Sequence, residues 1–278
     1  MTVTVNLAAA DGAKSALTLP SPTVVTGNAY PNPGVWTSGG VVTNTWQTLA
    51  DLNAVFVPAW HGPATSFTTS LAQLTAPSGP GFSFTVTDAE QALWDSSSKV
   101  TFAQATHQPG KARTGFETPD LVGTVCQYTF NLLMPKQTFE STWFCCDCIE
   151  FPTSNGPLPF ALNVDTTNSP QRPTPVWRPE FRNSTGANGG YDWVYGPPIV
   201  FDVWHKMVFQ IYWTANTNGY FRMFLNGQLI ANHVGQTYWA ALGPSYLQYG
   251  FYANRGAGLA GRAQFGPVVR QQFAALGA

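Results

Sequence analysis

Residue types that could do chemistry gather in three short stretches of this 278-residue chain, which are Arg113–Glu117, Cys148–Glu150 and Tyr246–Tyr252. An arginine side chain can bind a carboxylate through two parallel hydrogen bonds. A tyrosine or a carboxyl side chain can transfer a proton when it is held beside a reacting group. These stretches are therefore the candidates for binding an acidic group and for acid–base chemistry, provided that the fold brings them together.

The elements that would position these residues are clearest between Val203 and Tyr252. From Val203 to Trp213 the sequence alternates with a period of two and carries apolar residues on both faces, which is typical of a strand inside a two-layer sandwich. Asn216–Gly219 and Asn226–Gly227 accept left-handed backbone angles, so they predict hairpin turns. The strands predicted in this part of the chain are Val203–Trp213, Tyr220–Leu225, Gln228–His233 and Tyr246–Tyr252.

The remainder of the chain also predicts β structure. Charged residues make up 10% and aromatic residues 14%, and the 26 glycines and 22 prolines favour turn-rich sheets over helices. Further strands are expected at a spacing that suits a sandwich. They are Phe82–Thr87, Val100–Ala105, Lys111–Glu117, Thr124–Leu133, Thr142–Phe151, Pro159–Val164, Val176–Arg182, Ile199–Phe201 and Leu259–Arg270.

The sequence Pro-Ser-Gly-Pro-Gly at Pro77–Gly81 predicts a boundary between two regions. We expect residues 1–80 to form an irregular N-terminal region that docks on the sandwich or anchors it to another subunit. Residues 81–278 are expected to form the β-sandwich itself. Within the first region, Thr45–Leu52 has apolar residues at helical spacing and is the best candidate for a short helix.

The order of these elements resembles the end of concanavalin A-like jelly rolls. It consists of a strand, a long hairpin with a Leu-Asn-Gly turn at Leu225–Gly227, and an aromatic strand before the C-terminus. The closest resemblance is to polysaccharide lyases of the heparin lyase I, glucuronan lyase and alginate lyase type, over roughly residues 82–270. It implies an all-β fold, a two-sheet antiparallel β-sandwich of the jelly-roll type, and a polysaccharide as the partner.

In those lyases three strands carry the active site, and this chain departs from their motifs. The family has an Arg-and-Glu strand, a Gln-x-His strand and a Tyr-Phe-Lys-x-Gly-x-Tyr strand. Arg113 and Glu117 resemble the first motif. At the second motif, Cys148 stands in place of the glutamine and Glu150 in place of the histidine.

The third motif keeps Tyr246 and Tyr252, whereas Gln248 replaces the lysine. β-Elimination on a uronate needs a neutralised carboxylate, a base for the proton at carbon five and an acid for the leaving oxygen. By resemblance, Arg113 would neutralise the carboxylate and Tyr252 would act as base and acid, while His107 would supply a replacement base. The departures imply that the fold is kept and that the usual lyase chemistry is lost.

Substrate contacts are expected from the same three strands. The strand candidates for binding are Glu117, Glu150, Tyr246 and Gln248. Glu150 would repel a uronate unless its carboxyl group were protonated.

An aromatic loop supplies a second group of binding candidates. The segment Asn183–Tyr195 is long, rich in glycine and aromatic. Because sugar rings stack on aromatic faces, its side chains could form a platform for a glycan at the rim of a groove. The platform candidates are Trp177, Tyr191 and Trp193. An aromatic loop folded onto its own sandwich is the alternative.

The other candidates have structural interpretations too. Arg113 and Glu117 suit an in-sheet pair that holds two strands together, and Tyr246 and Tyr252 suit ordinary packing. A glycosidase would instead use two carboxylates across a cleft.

Glu117 with Glu150 is the pair that such a glycosidase could use. A pair on a single strand is not expected, because alternation predicts that Asp147 and Glu150 lie on opposite faces.

The four cysteines are Cys126, Cys145, Cys146 and Cys148. If Thr124–Leu133 folds back against Thr142–Phe151, Cys126 lies roughly opposite Cys148, which would permit a strained cross-strand disulfide. The role that we expect for the cysteines is that of small buried hydrophobic residues. The disulfide, and a nucleophile formed by Cys148 with His107, are the alternatives. Paired Cys-x-x-Cys knuckles are absent from the sequence, so neither a metal site nor a cofactor is expected.

Charge and hydropathy exclude some classes of partner. The net charge is −1 and the thirteen lysines and arginines are scattered, which does not suit nucleic-acid binding. No apolar run approaches the ~20 residues of a membrane span. The sequence begins Met1–Val5 without the features of a signal peptide. Either such a segment has been removed, or the protein leaves the cell by another route, such as on a phage-like particle, so we expect an extracellular or virion-surface protein.

Three functions follow as expectations. The first is recognition of an extracellular or capsular polysaccharide in the groove of a lyase-like jelly roll, with homo-oligomer or particle contacts through residues 1–80. The second is an active polysaccharide lyase, and the third is a purely structural virion or surface protein.

Overall fold

The computed structural model of the protein describes residues 41–46, 71–86, 120, 122–136, 145–153, 156–165, 175–182, 190–243, 245, 247–254 and 261–273. Fourteen strands and one turn of 3₁₀ helix, Ala240–Leu242, occur in this part of the chain. The strands are β1 Val41–Trp46, β2 Leu71–Ala76, β3 Gly79–Val86, β4 Val125–Leu133, β5 Cys145–Thr153, β6 Gly156–Asp165, β7 Val176–Arg182, β8 Tyr191–Trp193, β9 His205–Tyr212, β10 Gly219–Leu225, β11 Gln228–Gly235, β12 Gln248–Asn254, β13 Gly261–Phe265 and β14 Val268–Phe273.

The strands form two antiparallel sheets. A nine-stranded sheet has the order β11-β10-β9-β4-β13-β3-β2, with β14 pairing both β4 and β1. A five-stranded sheet has the order β12-β5-β6-β7-β8. Two antiparallel sheets with almost no helix confirm the prediction of an all-β jelly-roll sandwich.

The core lies between the two sheets and is rich in aromatic rings. Alternate residues of each strand point inward, as Phe160 and Leu162 do on β6, and both are fully buried. Phe160 stacks on Phe221 of the opposite sheet with 3.4 Å between ring centroids, and Tyr249 contacts Phe265 at 5.1 Å. Burial of each such ring contributes about 1.5–3 kcal/mol, so this contact layer fixes how the two sheets face each other.

The predicted hairpins are present. Asn226 and Gly227 both adopt positive φ, at 50° and 85°, and join β10 to β11 in the way that the Asn-Gly pair predicts. The Asn226 side chain also accepts a hydrogen bond from the Lys206 backbone N–H at 2.9 Å, which ties the turn to the start of β9.

Two strands come from the region that was predicted to be irregular. β1 pairs with β14, and β2 forms a tight hairpin with β3 through a turn at Pro77 and Ser78. The predicted helix is therefore wrong at Thr45 and Trp46, which belong to β1, and its remainder lies outside the described residues. The domain boundary near residue 80 and the docking of residues 1–80 stay predictions.

Three strand predictions need correction. Ile199–Phe201 is not a strand, because the preceding Pro197 and Pro198 have no N–H to donate to a ladder. Part of the predicted loop Asn183–Tyr195 is strand β8. The single closing strand is two, β13 and β14, separated by Gly266, whose N–H donates to the Asn131 carbonyl at 2.8 Å. The predicted strands Val100–Ala105 and Lys111–Glu117 lie outside the described residues.

The cross-strand disulfide that was considered for Cys126 and Cys148 does not form. β4 pairs with β9 and β14 in one sheet, whereas β5 pairs with β6 and β12 in the other. Both thiols are free and buried. They occupy the core as small hydrophobic groups, and the Cys148 sulfur lies 3.9 Å from the sulfur of Met134.

Candidate functional site

The candidate site is the side of the five-stranded sheet that is turned away from the nine-stranded sheet, here named the outer face. Core residues such as Phe160, Leu162 and Val164 take the inner positions of β6, so the residues between them take outer ones. Strand register then assigns the outer positions across the sheet. The described side chains at these positions are Glu150, Ala161, Asn163, Asp165, Arg178, Glu180, Arg182, Tyr191 and Trp193.

The two strands that carry the second and third lyase-like motifs are neighbours. β12 pairs with β5, with Gln248 opposite Glu150 and Tyr252 opposite Asp147. Glu150 and Gln248, which are two of the three positions at which the sequence departs from the lyase motifs, are therefore directly opposed across one pair of strands.

A β-bulge at Cys148 changes which residues share a face. Asp147 pairs with Asn163, whereas Ile149 pairs with Leu162, so β5 has one extra residue between them. Glu150 then pairs with Ala161, two residues before Asn163. The expectation that Asp147 and Glu150 occupy opposite faces is wrong, because the bulge returns both positions to the outer one.

Charged side chains on β6 and β7 pair with one another on this face. The Arg178 guanidinium lies 3.2 Å from the Asp165 carboxylate and 2.6 Å from that of Glu180. The same guanidinium lies over the ring of Trp193, 5.9 Å from its centroid. The arginine thus joins two carboxylates and an aromatic ring into one cluster.

Tyr191 on β8 is paired with Arg182 and borders the same cluster. Burial raises the pKa of the Tyr191 hydroxyl above its ordinary value. The charge of Arg182 and its hydrogen bond oppose this rise, and the carboxylates of Glu180 and Glu150 add to it. The hydroxyl is therefore protonated near neutral pH and can donate a hydrogen bond.

Exposure differs between the positions of the outer face, and Arg182 on β7 is as deeply buried as the residues of β5 and β6. Glu150 and Asn163 are 6% and 3% exposed, whereas the Arg178 and Glu180 side chains are 21% and 20% exposed. Tyr191 and Trp193 are half-buried. Solvent, and hence a ligand, reaches the outer face on its β7 and β8 side.

Several buried polar atoms on this face have no hydrogen-bond partner among the described residues. Some side-chain N–H groups of Arg178 and Arg182 are among them, although other atoms of these two arginines are engaged. The side-chain oxygen of Asn163, an acceptor, and the indole N–H of Trp193, a donor, are the other two. A buried polar group without a partner loses about 1–3 kcal/mol of hydrogen bonding, so such groups call for an explanation. A ligand that supplies hydroxyl or amide groups would satisfy Asn163 and Trp193.

Comparison with known proteins assigns the family. A family model described as polysaccharide lyase matches residues 81–269. This chain belongs to the polysaccharide lyase family. No curated protein matches it.

Solved structures of lyases resemble this family member at low identity. An endo-β-1,4-glucuronan lyase from the fungus Trichoderma reesei is 11% identical, with 83% of this chain and 95% of that chain covered and a TM-score of 0.47. Alginate lyase AlyC3 is 11% identical, with 56% and 67% covered and a TM-score of 0.44. Alginate lyase Aly36B, in a complex with alginate trisaccharide, is 10% identical, with 56% and 73% covered and a TM-score of 0.42.

Only part of the lyase-like residue set falls within the described residues. Arg113, His107, Glu117 and Tyr246 lie outside them, and for Gln248 and Tyr252 the structure describes the backbone alone. The roles suggested for these residues in this polysaccharide lyase family member stay predictions.

Trp177 is in the core rather than at the rim of the outer face. It is 0% exposed and meets the His205 ring edge-on at 5.8 Å. Its neighbour Arg178 takes the outer position instead, because successive residues of a strand point to opposite faces. The prediction that Trp177 belongs to the glycan platform is therefore wrong. Tyr191 and Trp193 both lie at outer positions.

The sequence analysis did not single out Asp120, which is the centre of a buried polar network. Its carboxylate accepts hydrogen bonds from the Tyr128 hydroxyl at 2.6 Å and the Trp213 indole at 2.5 Å, and lies 2.8 Å from the Arg270 guanidinium. Its backbone N–H donates to the Ser245 carbonyl at 2.9 Å. A lone aspartate in a turn-rich stretch has no pattern that would have revealed this role.

Within the part of the chain that the structure describes, no three His, Cys, Asp or Glu residues come together as a metal site. In that same part, none of the helical structure is long and apolar enough to span a membrane.

Proposed function

We propose that this chain recognises an extracellular or capsular polysaccharide on the outer face of its five-stranded sheet. The observation that carries the proposal is Trp193, whose half-buried ring has an unpartnered indole N–H among the described residues and lies beside the Arg178 guanidinium. An aromatic face packs against the C–H surface of a sugar, while nearby polar groups bond its hydroxyls. Tyr191 and Glu180 supply such groups next to the ring.

We propose further that binding is not followed by the β-elimination of the family. That reaction needs groups that neutralise the uronate carboxylate and move protons. Glu150 replaces the histidine of the motif, and the position opposite it carries Gln248 instead of lysine. A carboxylate and an amide at these positions do not supply the same chemistry.

An active lyase is the second candidate, and family membership over residues 81–269 favours it. In that case Arg113 would neutralise the uronate carboxylate, and Tyr252, or His107 as a replacement base, would take the proton from carbon five. The bond to the leaving oxygen would break as the new double bond forms, and Tyr252 would give that oxygen a proton.

The setting is part of the proposal. The protein would act outside the cell or on a virion surface, with residues 1–80 providing contacts to other subunits or to a particle. A purely structural role is the competing interpretation, which the deep burial of Glu150 and Asn163 supports.

A polysaccharide panel with two readouts tests the proposal. Binding would be measured by calorimetry, and cleavage by the ultraviolet absorbance of the unsaturated product. We expect binding without absorbance, and a loss of at least tenfold in affinity for Trp193→Ala, which is about 1.4 kcal/mol. Trp204→Ala, which removes another half-buried indole, is the control and should bind normally.

Each other result would overturn a specific part. Absorbance that rises with the wild-type protein would establish the lyase. Equal binding by both tryptophan variants would remove the outer face as the site. Silence in both readouts across the panel would favour the structural role.

A further inference from the structure

The nine-stranded sheet also has a side that is turned away from the other sheet, here named the far face. Core residues such as Phe209 and Ile211 take the inner positions of β9, so Val208 and Gln210 take outer ones. Strand register extends these positions to the neighbouring strands. The described residues at the centre of the far face are Val125, Gln127, Val208, Gln210, Tyr220 and Phe224.

These residues point away from the core and are nevertheless buried. Gln210 is 0% exposed, and Val208 and Phe224 are each 1% exposed. On the outer face of the five-stranded sheet, by contrast, the Arg178 and Glu180 side chains are 21% and 20% exposed. A sheet with water on one side leaves its outward side chains partly exposed. Something therefore covers the far face.

The cover is not one of the described strands. Each strand in that part of the chain belongs to one of the two sheets, so none of them forms a third layer. Val125, Val208 and Phe224 are buried apolar residues, yet they do not belong to the core cluster between the sheets. Their apolar neighbours on the far side must therefore come from chain outside the described residues.

A row of glutamines shows what the cover has to match. Gln210 donates a hydrogen bond from Nε2 to Oε1 of Gln127 at 2.9 Å, and Gln127 donates from Nε2 to Oε1 of Gln271 at 3.1 Å. The residues that border this row are Val125, Val208, Tyr220 and Phe224. A segment that covers such a surface should carry few charges, because burial of a charge is unfavourable unless it is paired.

Residues 1–40 have the composition that this surface requires. Asp11 and Lys14 are their only charged residues, and Tyr30 and Trp36 supply aromatic rings. Residues 87–119 are a poorer match, since they contain seven charged residues. These are Asp88, Glu90, Asp95, Lys99, Lys111, Arg113 and Glu117.

The position of β1 leads residues 1–40 to the far face. Val41 follows them directly and pairs with Gln272, and Val42 pairs with Gln271 of the glutamine row. An extended chain of forty residues spans up to ~130 Å. The strands from β14 to β10 are only about 15 Å across. Residues 1–40 are therefore long enough to cross this part of the sheet.

Two other segments outside the described residues start and end elsewhere. Residues 47–70 join β1 to β2, and both of these strands lie on the side of β4 that is away from β9. Residues 87–119 end at Asp120, whose backbone N–H donates to the Ser245 carbonyl just before β12 of the five-stranded sheet. Neither segment has to cross β9 and β10 to connect its ends.

We infer that residues 1–40 form an arm that lies across the far face and covers its glutamine row. This goes beyond the proposed function, because it concerns the opposite sheet and requires no polysaccharide. An arm in this position can still contact another subunit with the side that it turns to solvent.

Photo-crosslinking in the whole 278-residue chain tests the arm. A diazirine amino acid similar in size to leucine would replace Val208, and mass spectrometry after digestion would identify the peptides joined to it. We expect peptides from residues 1–40. The same amino acid at Val234, which is 60% exposed on the edge strand of this face, is the control and should react with water instead.

A second position keeps the test decisive if the buried variant fails to fold. Tyr212 is half-buried and lies opposite Val125 and Tyr220 on the same face. A benzophenone amino acid at Tyr212 should also cross-link to residues 1–40.

Thiol labelling measures the cover independently. Val208→Cys should react with a maleimide at least about tenfold more slowly than Val234→Cys, because the arm has to move away before the reagent can enter. Peptide mass spectrometry separates these thiols from the four native cysteines.

Other outcomes would overturn the inference. Cross-links to a different part of the same chain would assign the cover to that part. Cross-links between two copies, seen as a covalent dimer, would make the far face an intermolecular surface. Equal labelling of the two introduced thiols would show that the far face is open. None of these results concerns Trp193, so the recognition proposal would stand or fall separately.

Discussion

The network around Asp120 and the cluster around Arg178 are built from the same residue types, yet they differ in how closed they are. Each joins a carboxylate, an arginine and an aromatic side chain. In the interior, the Asp120 and Arg270 side chains are 0% and 3% exposed, and the carboxylate has three partners within 2.8 Å. On the outer face, Arg178 is one-fifth exposed and Trp193 has an N–H without a described partner.

This difference teaches how to separate stabilising polar groups from groups that await a ligand. Burial of a charge is unfavourable unless its partners are close, so a closed network such as that of Asp120 is coupled to folding. Burial, and next the negative charge of Asp120, raise the pKa of Tyr128, so its hydroxyl remains a donor to the carboxylate. The open cluster should contribute less to folding, and under the proposed function its groups without a described partner would be those that bind a sugar.

Asp120→Asn should have the largest effect on stability. The change keeps the shape of the side chain but leaves the buried Arg270 guanidinium without its charge partner, which typically costs about 3–5 kcal/mol. Urea unfolding would measure the loss. The control is Asp202→Asn, because Asp202 is exposed and asparagine tolerates its φ of 57°. If the two variants proved equally stable, the interior network would not be a folding element.

Tyr128→Phe and Tyr191→Phe compare the two regions through one hydroxyl each. Loss of the Tyr128 hydroxyl leaves a buried carboxylate oxygen with one partner fewer, so the free energy of unfolding should fall by about 1–3 kcal/mol. Tyr191 is half-buried and its hydroxyl is hydrogen-bonded to Arg182, so its variant should lose about 0.5–1.5 kcal/mol, which is less than the loss for Tyr128. Thermal unfolding would separate them, and a larger loss for Tyr191 would reverse our assignment of roles.

The sandwich itself could be predicted because its signals are local. Period-two alternation and the turn at Asn226–Gly227 identified β9, β10, β11 and β12 without any knowledge of their neighbours. Pairing between distant strands is not local, which is why the supposed hairpin of β4 and β5 was wrong. The sequence between β4 and β5 contains no local signal which predicts that the two strands belong to different sheets.

The candidate site was predictable at the level of strands and less so at the level of single positions. The lyase-like motifs assigned Glu150 and Gln248 to strands, and the structure pairs these two strands, β5 and β12, with each other. Simple alternation gave the wrong face for Asp147 because of the bulge at Cys148. Trp177 lies in the core, and the next residue of the strand, Arg178, takes the outer position. One extra residue in a strand moves the following side chains to the other face. The sequence around Cys148 contains no turn-forming residue that would predict this bulge.

Glu180→Gln should change stability by no more than about 1 kcal/mol, since its pair with Arg178 is partly exposed. The screening length falls to about 3 Å at 1 M salt, so interactions between exposed charges become weaker. Any loss of stability seen at low salt should therefore shrink at high salt. The effect of Asp120→Asn should persist at high salt, because water and ions do not reach that pair. Denaturant unfolding at the two salt concentrations checks this. A salt-independent loss above about 2 kcal/mol for Glu180→Gln would make the outer cluster a folding element too.

His233 should give the smallest effect, and it tests the boundary between the two regions. It stacks on Phe181 with 5.2 Å between ring centroids. Both residues, together with Arg182, line a cavity of about 10 Å³ whose walls come from both sheets. Burial lowers the pKa of His233, although a backbone hydrogen bond to Gln236 and the charge of Asp192 oppose this.

The sign of the pH effect follows from that direction. Below about pH 6.5 the unfolded chain takes up a proton at His233 while the folded protein resists it, so stability should decline as the pH falls from there towards the lower folded pKa. Subtracting the unfolding free energy of His233→Gln at each pH isolates the contribution of this one residue. The difference should be constant above pH 7.5 and should change only below 6.5. A difference that instead grew in favour of the wild-type protein as the pH fell would mean that Asp192 outweighs burial, and that this end of the sandwich is as open as the outer face.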